Sequence, residues 1–267
     1  MASGRTAQRV DGGSGMTLPR IVGRETLDHL AADDPAAVRS RRDLQRVHWA
    51  MGTRRIVQRA LRGLPGLAQR RAPLRVLELG AGDGRLMLGV ARSLKHTSPA
   101  WPAVELSLLD RQALVTADTI AAYAALGWHA TSHVRDVFDW AEAARATSPA
   151  TPPEVARFDL IVANLFLHHF EGPALGTVLS AMALRGDRCL ACEPRRSRTA
   201  LLGSHLVGAL GANAVTRQDA VLSVHAGFRG AELSSAWPQA VGAWQLNEYP
   251  AGLFSHCFVA QRREVRR

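Results

Sequence analysis

Lysine is almost missing from this 267-residue chain: Lys95 stands alone, and arginine supplies nearly all of the positive charge. Cysteine is scarce as well, with only Cys189, Cys192 and Cys257. So small and odd a number excludes a disulfide framework as the organising device. Cys189 and Cys192 form a CxxC, but no second CxxC and no nearby histidine pair completes a zinc set. Their run, residues 188–193, reads as a buried strand, on which positions three apart point to opposite faces. Both read as core cysteines, which pack as small apolar residues, and no metal site is expected. No run of about 18 apolar residues exists to cross a membrane. Residues 1–15 are polar and rich in Gly and Ser, without the apolar core of a signal peptide. They read as the start of a disordered leader reaching residue 23, with Met16 as an alternative start. The cytoplasm is the expected compartment.

The formal charge of +10 points first to anionic partners. Its arginines concentrate between Arg39 and Arg75, where Trp49 is the only aromatic side chain to stack on a base. Nucleic acid is therefore an unlikely partner, and solvated helix faces that steer an anionic substrate are the better reading. Hydrophobic residues make up 47% of the chain, enough for one large core. A homodimer is compatible with everything in the sequence and required by nothing in it.

Residues 24–66 read as a helical cap. Leu44, Val47, His48 and Met51 recur at helical spacing, Gly52 and Thr53 mark a break, and a second helix carries Ile56, Ala60 and Leu61. From residue 67 onward short apolar strands alternate with helices. Strands are expected at 74–79, 104–109, 130–135, 158–163 and 188–192. Helices are expected at 85–94, 111–126, 139–146, 173–184 and 198–210. This alternation implies βαβ units and a parallel sheet covered on both faces. The end differs: strands at 243–249 and 253–262, joined at residues 250–252, are linked too tightly for anything but an antiparallel hairpin.

The most informative motif is Val76-Leu-Glu-Leu-Gly-Ala-Gly-Asp-Gly84, which follows a strand and opens a helix. A dinucleotide site wants GxGxxG, and the third glycine position holds the bulky Arg85. No GKS or GKT forms a P-loop. The ELGAGDG run, with the parallel strands and terminal hairpin, resembles the class I methyltransferases, which use S-adenosylmethionine (SAM). The resemblance covers about residues 74–262. It implies an α/β, doubly wound, mostly parallel seven-stranded sheet with a C-terminal antiparallel β-hairpin, preceded here by the helical cap.

The resemblance also implies a cofactor site. Glu78 would lie near the amino-acid end of SAM, with Gly80, Ala81 and Gly82 along its methionine and ribose portions. Asp110, followed by Arg111 at the end of the second strand, would accept hydrogen bonds from two ribose hydroxyls, unless it only caps a helix. Asp136 would meet the adenine amino group and Val137 the ring, with Asp139 as an alternative to Asp136. Asn164 and Leu165, ending the fourth strand, would lie near the transferable methyl.

The same strand continues as Phe166-Leu-His-His-Phe170. Ligands in open α/β sheets bind at this carboxyl end. Histidine is suited to take a proton from an acceptor near neutral pH. His168 or His169 is the expected base, His168 slightly favoured; a structural role for either stays open. With the cap helix and the segments around residues 192–197 and 215–225, the run is similar to bacterial small-molecule methyltransferases of polyketide-type and quinone-like metabolites. That likeness implies a small acceptor; His48 and Trp49 of the cap, Phe166, and Arg195, Arg196 and Arg217, whose charge suits a carboxylate or phenolate, are the residues expected to bind it. His48 departs from the Asn usual in that pattern, and the arginines have a competing reading as structural ion pairs. O-methylation is favoured over C-methylation. RNA or protein targets are disfavoured because Asn164-Leu-Phe-Leu167 lacks the prolines of a DPPY-like run. A SAM-fold binding protein without activity is the remaining alternative.

Overall fold

The computed structural model describes residues 18–64, 66–67, 72–98, 101–146 and 157–263. Residues 1–17 of the expected leader lie outside the described residues. Residues 18–23 run extended, with Arg20 bonded to the carbonyls of Phe170 (2.9 Å) and Ala226 (2.9 Å).

The chain folds into helices α1 (Pro35–Met51) and α2 (Thr53–Arg62), then the units β1 (Leu74–Leu79), α3 (Arg85–Thr97), β2 (Val104–Asp110), α4 (Ala117–Ala124) and β3 (Trp128–Val134). There follow α5 (Val137–Ala146), β4 (Leu160–Asn164), α6 (Gly172–Arg185), β5 (Arg188–Pro194), α7 (Arg198–His205), α8 (Ala214–Ala226) and α9 (Glu232–Ala236). The hairpin β6 (Trp244–Ala251) and β7 (Ser255–Arg262) ends the chain. The sheet order is β3-β2-β1-β4-β5-β7-β6, parallel through β5 and antiparallel at β7 and β6. This is the expected seven-stranded architecture. Chain direction around the sheet reverses between β1 and β4, and there the carboxyl ends of the strands open a crevice.

Alternation along the strands splits the core in two. Leu74 and Val76 face one layer with Leu106, Leu108, Val162 and the helices α2 and α3. Leu77 and Leu79 face the other with Ile161, Ala163, Phe258 and α6. Cys192 belongs to the first layer and Cys189 to the second, as strand geometry requires of residues three apart. All three cysteines are free and buried.

Several boundaries move for identifiable reasons. Residues 24–62 are not one helical stretch: a 3-10 turn (Leu27–His29) comes first, and Asp34 then caps α1 by accepting from Ala36 N (2.7 Å) ahead of Pro35. The helix expected from 111 begins only at Ala117, because Thr116 supplies the cap, accepting from Thr119 N (3.2 Å). The hairpin turn lies beyond Pro250 and Ala251, which stay in β6 paired with His256 and Ser255. The sequence reading had assigned no structure to α8 and α9.

The larger correction concerns α1. Its buried residues are Ala37, Ser40 and Asp43, not the stripe of Leu44, Val47, His48 and Met51. Asp43 accepts from Asn213 N (2.8 Å) and pairs with Arg46 (2.6 Å), while Ser40 bonds Asn213 in turn. Asn213 also caps α8 through Thr216 N (2.8 Å). A polar face is thus buried by satisfying its hydrogen bonds, which leaves Leu44 and His48 free to face the crevice. Asp43→Ala removes the acceptor for Asn213 N and the partner of Arg46. It should cost about 1–3 kcal/mol, read as a lower urea midpoint with an unchanged m-value; an unchanged midpoint would show that this junction contributes nothing.

Candidate active site

A cleft of about 730 Å³ opens over the carboxyl ends of β1, β2 and β4. Its floor is the glycine loop. Gly80 has φ +66°, and a Cβ there would lie 2.3 Å from the Phe166 ring, so only glycine allows this ring to rest on the loop. The loop is held from two sides. Tyr123 Oη donates to the Gly84 carbonyl (2.6 Å), and Gly82 N donates to Asp110 Oδ2 (2.8 Å). Asp110 Oδ1 accepts from Gln112 N (2.9 Å). Asp110 is therefore not a helix cap; it ties the glycine loop to the end of β2.

Three buried polar atoms bordering this cleft have no partner among the described residues: Glu78 Oε2, Asn164 Oδ1 and His48 Nε2. Burial pushes the Glu78 carboxyl well above the usual carboxylate range, and the nearby charges of Asp83 and Asp110 add to it. Burial likewise lowers His48 to about 4, so its imidazole is neutral near neutral pH. Leu165, directly after β4, has φ +49°, the one non-glycine residue in the left-handed region among the described residues. Such backbone persists where the surroundings enforce it and clusters at functional sites.

At the far wall of the cleft Glu193, fully buried at the end of β5, gathers the turn after β4. Its carboxylate accepts from the backbone N–H groups of Phe166 (3.2 Å), Leu167 (3.0 Å) and His168 (3.3 Å). It also bonds His168 Nδ1 at 2.8 Å, while His168 Nε2 lies 3.3 Å from Glu25 Oε1. Burial alone would lower the His168 pKa, but the bonds to Glu193 and Glu25 outweigh it and push it up to about 9. His168 is thus an imidazolium at neutral pH, with both nitrogens engaged and 2% of its surface exposed. A group so placed has no lone pair with which to take a proton, which reverses the slight preference for it over His169. His169 is different. It is half-buried, its Nδ1 lies 3.3 Å from Asp28 Oδ2, and burial together with the His168 charge lowers its pKa.

Glu25 and Asp28 reach the site on residues 18–30, which run along the cleft as a strap. Asp219 of α8 anchors the strap by accepting from Thr26 N (2.8 Å) and Leu27 N (2.9 Å). Arg111 fastens its other end, bonding the Asp28 carbonyl and pairing with its carboxylate at 3.6 Å.

The cleft brings together Glu78, Gly80, Ala81, Gly82, Asp110, Arg111, Asp136, Val137, Asn164 and Leu165. His48, Trp49, Phe166, His168 and His169 border it too, Trp49 with 82% of its surface exposed. Asp136 lines it and accepts from Phe138 N (2.7 Å) at the start of α5, whereas Asp139 does not line it. Arg195, Arg196 and Arg217 stand apart from the cleft, so the sequence reading of them as acceptor ligands needs correcting. Arg196 is buried against Glu232 and the Leu18 carbonyl (2.9 Å), Arg195 reaches the Gly252 carbonyl (3.4 Å), and Arg217 packs beside Gly208. Among the described residues the arginines that border the cleft are Arg24, Arg41, Arg54, Arg85, Arg92, Arg111 and Arg135, of which the sequence places only Arg111 at a ligand site. Glu25, Asp28 and Glu193 were missed as site residues. Glu193 follows Cys192 at a strand end, a position that could have marked it; nothing local marks the other two.

No family model and no curated protein sequence matches the chain. Solved structures match it by shape. An O-methyltransferase family protein from Burkholderia thailandensis superposes with a TM-score of 0.56 at 17% identity, covering 88% of this chain and 62% of that one. A mitomycin 7-O-methyltransferase gives 0.52 at 16% identity, covering 88% and 60%. This chain therefore spans about three-fifths of the length of each. What these likenesses share with the sheet order and the glycine loop is architecture: the chain has the fold of the class I methyltransferases.

Proposed function

We propose that this chain transfers a methyl group from SAM to a small-molecule acceptor, with an oxygen of an aromatic or polyketide-like compound as the target. One observation carries the reading. Glu78 Oε2, Asn164 Oδ1 and His48 Nε2 are buried, have no hydrogen-bond partner among the described residues, and belong to side chains that line the same glycine-floored cleft. Orphaned buried polar atoms are costly unless a ligand satisfies them. Burial and the neighbouring carboxylates of Asp83 and Asp110 make Glu78 reluctant to ionise, so the site favours a ligand that brings positive charge. SAM supplies an electrophilic methyl on a sulfonium and carries an ammonium as well.

Glu78 and Asn164 would hold the amino-acid end of that ligand. Asp110 already accepts two backbone N–H groups, yet each carboxylate oxygen keeps a further lone pair for a ribose hydroxyl. Asp136 and Val137 would bound the adenine end. Beyond Phe166, the strap, Leu44 and Trp49 would bound the acceptor, and Arg24 and Arg41 suit an acidic one. His169 is the residue placed to take the acceptor's proton. Asp28, 3.3 Å from Nδ1, would favour the tautomer that leaves Nε2 to accept it. His168, locked between Glu193 and Glu25, orients its neighbour and the strap. Displacement at the methyl carbon then depends on alignment, which a rigid turn after β4 provides.

SAM or its demethylated product should raise the melting temperature, whereas NAD should not. Asp110→Ala should weaken SAM binding by about 1.5–3 kcal/mol in calorimetry; unchanged affinity would remove Asp110 from the site.

His169→Ala should lower kcat by roughly 10²–10⁴-fold while SAM affinity stays constant. Across a series of substituted phenols the loss should shrink as the acceptor becomes more acidic, and Asp28→Asn should show the same trend more weakly. A loss that ignores acceptor acidity would count against proton transfer to His169 and leave it a shaping role only.

A further inference from the structure

His168 is more elaborately bonded than an orienting residue requires. Glu25, His168 and His169 each offer a ligand atom, and these atoms lie within 4.8 Å of one another. Glu25 Oε1 stands 3.3 Å from His168 Nε2. That is the edge of a tetrahedron whose arms are about 2.0 Å, the length of a zinc–nitrogen or zinc–oxygen bond. All three residues are largely buried at one wall of the cleft.

The surroundings match what a metal demands of its ligands. Metal-binding histidines donate their second ring N–H to a carboxylate, which fixes orientation and raises basicity. Glu193 takes that place on His168 Nδ1 at 2.8 Å, and it is itself pinned by three backbone N–H groups. Asp28 lies against His169 at 3.3 Å, and Ser223 Oγ donates to Glu25. Three carboxylates therefore surround two imidazoles, a concentration of acceptor oxygens that suits a dication.

The geometry points to a divalent-metal site formed by Glu25, His168 and His169, with its remaining position turned to the cleft. Two imidazoles and one carboxylate select a cation of the zinc class. Magnesium and calcium, which want oxygen ligands throughout, fit poorly. Binding replaces the hydrogen bond between His168 Nε2 and Glu25 Oε1 with a bond from each atom to the metal, and the proton held between them leaves for solvent. One consequence rests on the proposed function: His169 is unable to be a ligand and a proton acceptor at once, so the metal-bound form should be silent in methyl transfer.

The test uses the full chain, freed of metal by chelation and then titrated with Zn²⁺ alone in calorimetry, and with Co²⁺ followed by visible absorption. One equivalent should bind, with cobalt giving the intense bands of a low-coordinate site, and Mg²⁺ should not compete. Glu25→Gln and His169→Ala should each weaken Zn²⁺ by about tenfold or more, with folding checked by circular dichroism. His205→Ala, remote from the site, should bind as wild type does. No binding, or equal affinity in Glu25→Gln, His169→Ala and wild type, would overturn the site. Methyl transfer is measured alongside and should fall as zinc occupancy rises, then return on chelation. Zinc binding that leaves transfer intact would uphold the metal site and remove His169 as the base.

Discussion

A single buried carboxylate organises this molecule's working end. Glu193 has no contact with solvent, and an ion in that position is tolerable only if its lone pairs are filled. Three consecutive backbone N–H groups and one imidazole fill them. Meeting that demand bends the chain after β4 into a 3-10 turn, sets Leu165 at positive φ, and lays Phe166 across Gly80. It also leaves His168 charged, which draws in Glu25 and with it the strap. Asp28 arrives opposite His169 as a result. The far wall and the proposed base of the cleft both follow from where one carboxylate had to find its partners.

The fold was legible because its signals are periodic. Alternating strands and helices, the glycine loop and the terminal hairpin are local patterns, and the sheet follows from them. One wall of the cleft was legible for a related reason: Glu78, Gly80, Gly82 and Asp110 sit at strand ends, where the backbone itself marks the position. The opposite wall was not. Glu25 and Asp28 gain their roles only by lying across from His168 and His169, more than a hundred residues away in sequence. The three arginines nearest the strand-five motif and α8 were drawn into the reading by charge. In the structure Arg195 and Arg196 serve carbonyls and Glu232 instead, and Arg217 packs beside Gly208.

The buried face of α1 misled for a different reason. Hydrophobic periodicity picks out a helix side that hides oil, and this helix hides Ser40 and Asp43. Its seam with α8 is made from polar bonds to Asn213 and Thr216.

That seam has a thermodynamic character of its own. Parting two apolar faces exposes hydrocarbon to water and brings a large heat-capacity change. Parting α1 from α8 chiefly trades one set of hydrogen bonds for another with water, each worth about 1 kcal/mol net. Helix α1, which borders the cleft, is thus joined to α8 by contacts that water can replace one at a time. Parting the two helices should carry little of the steep temperature dependence that unpacking a hydrophobic core would impose.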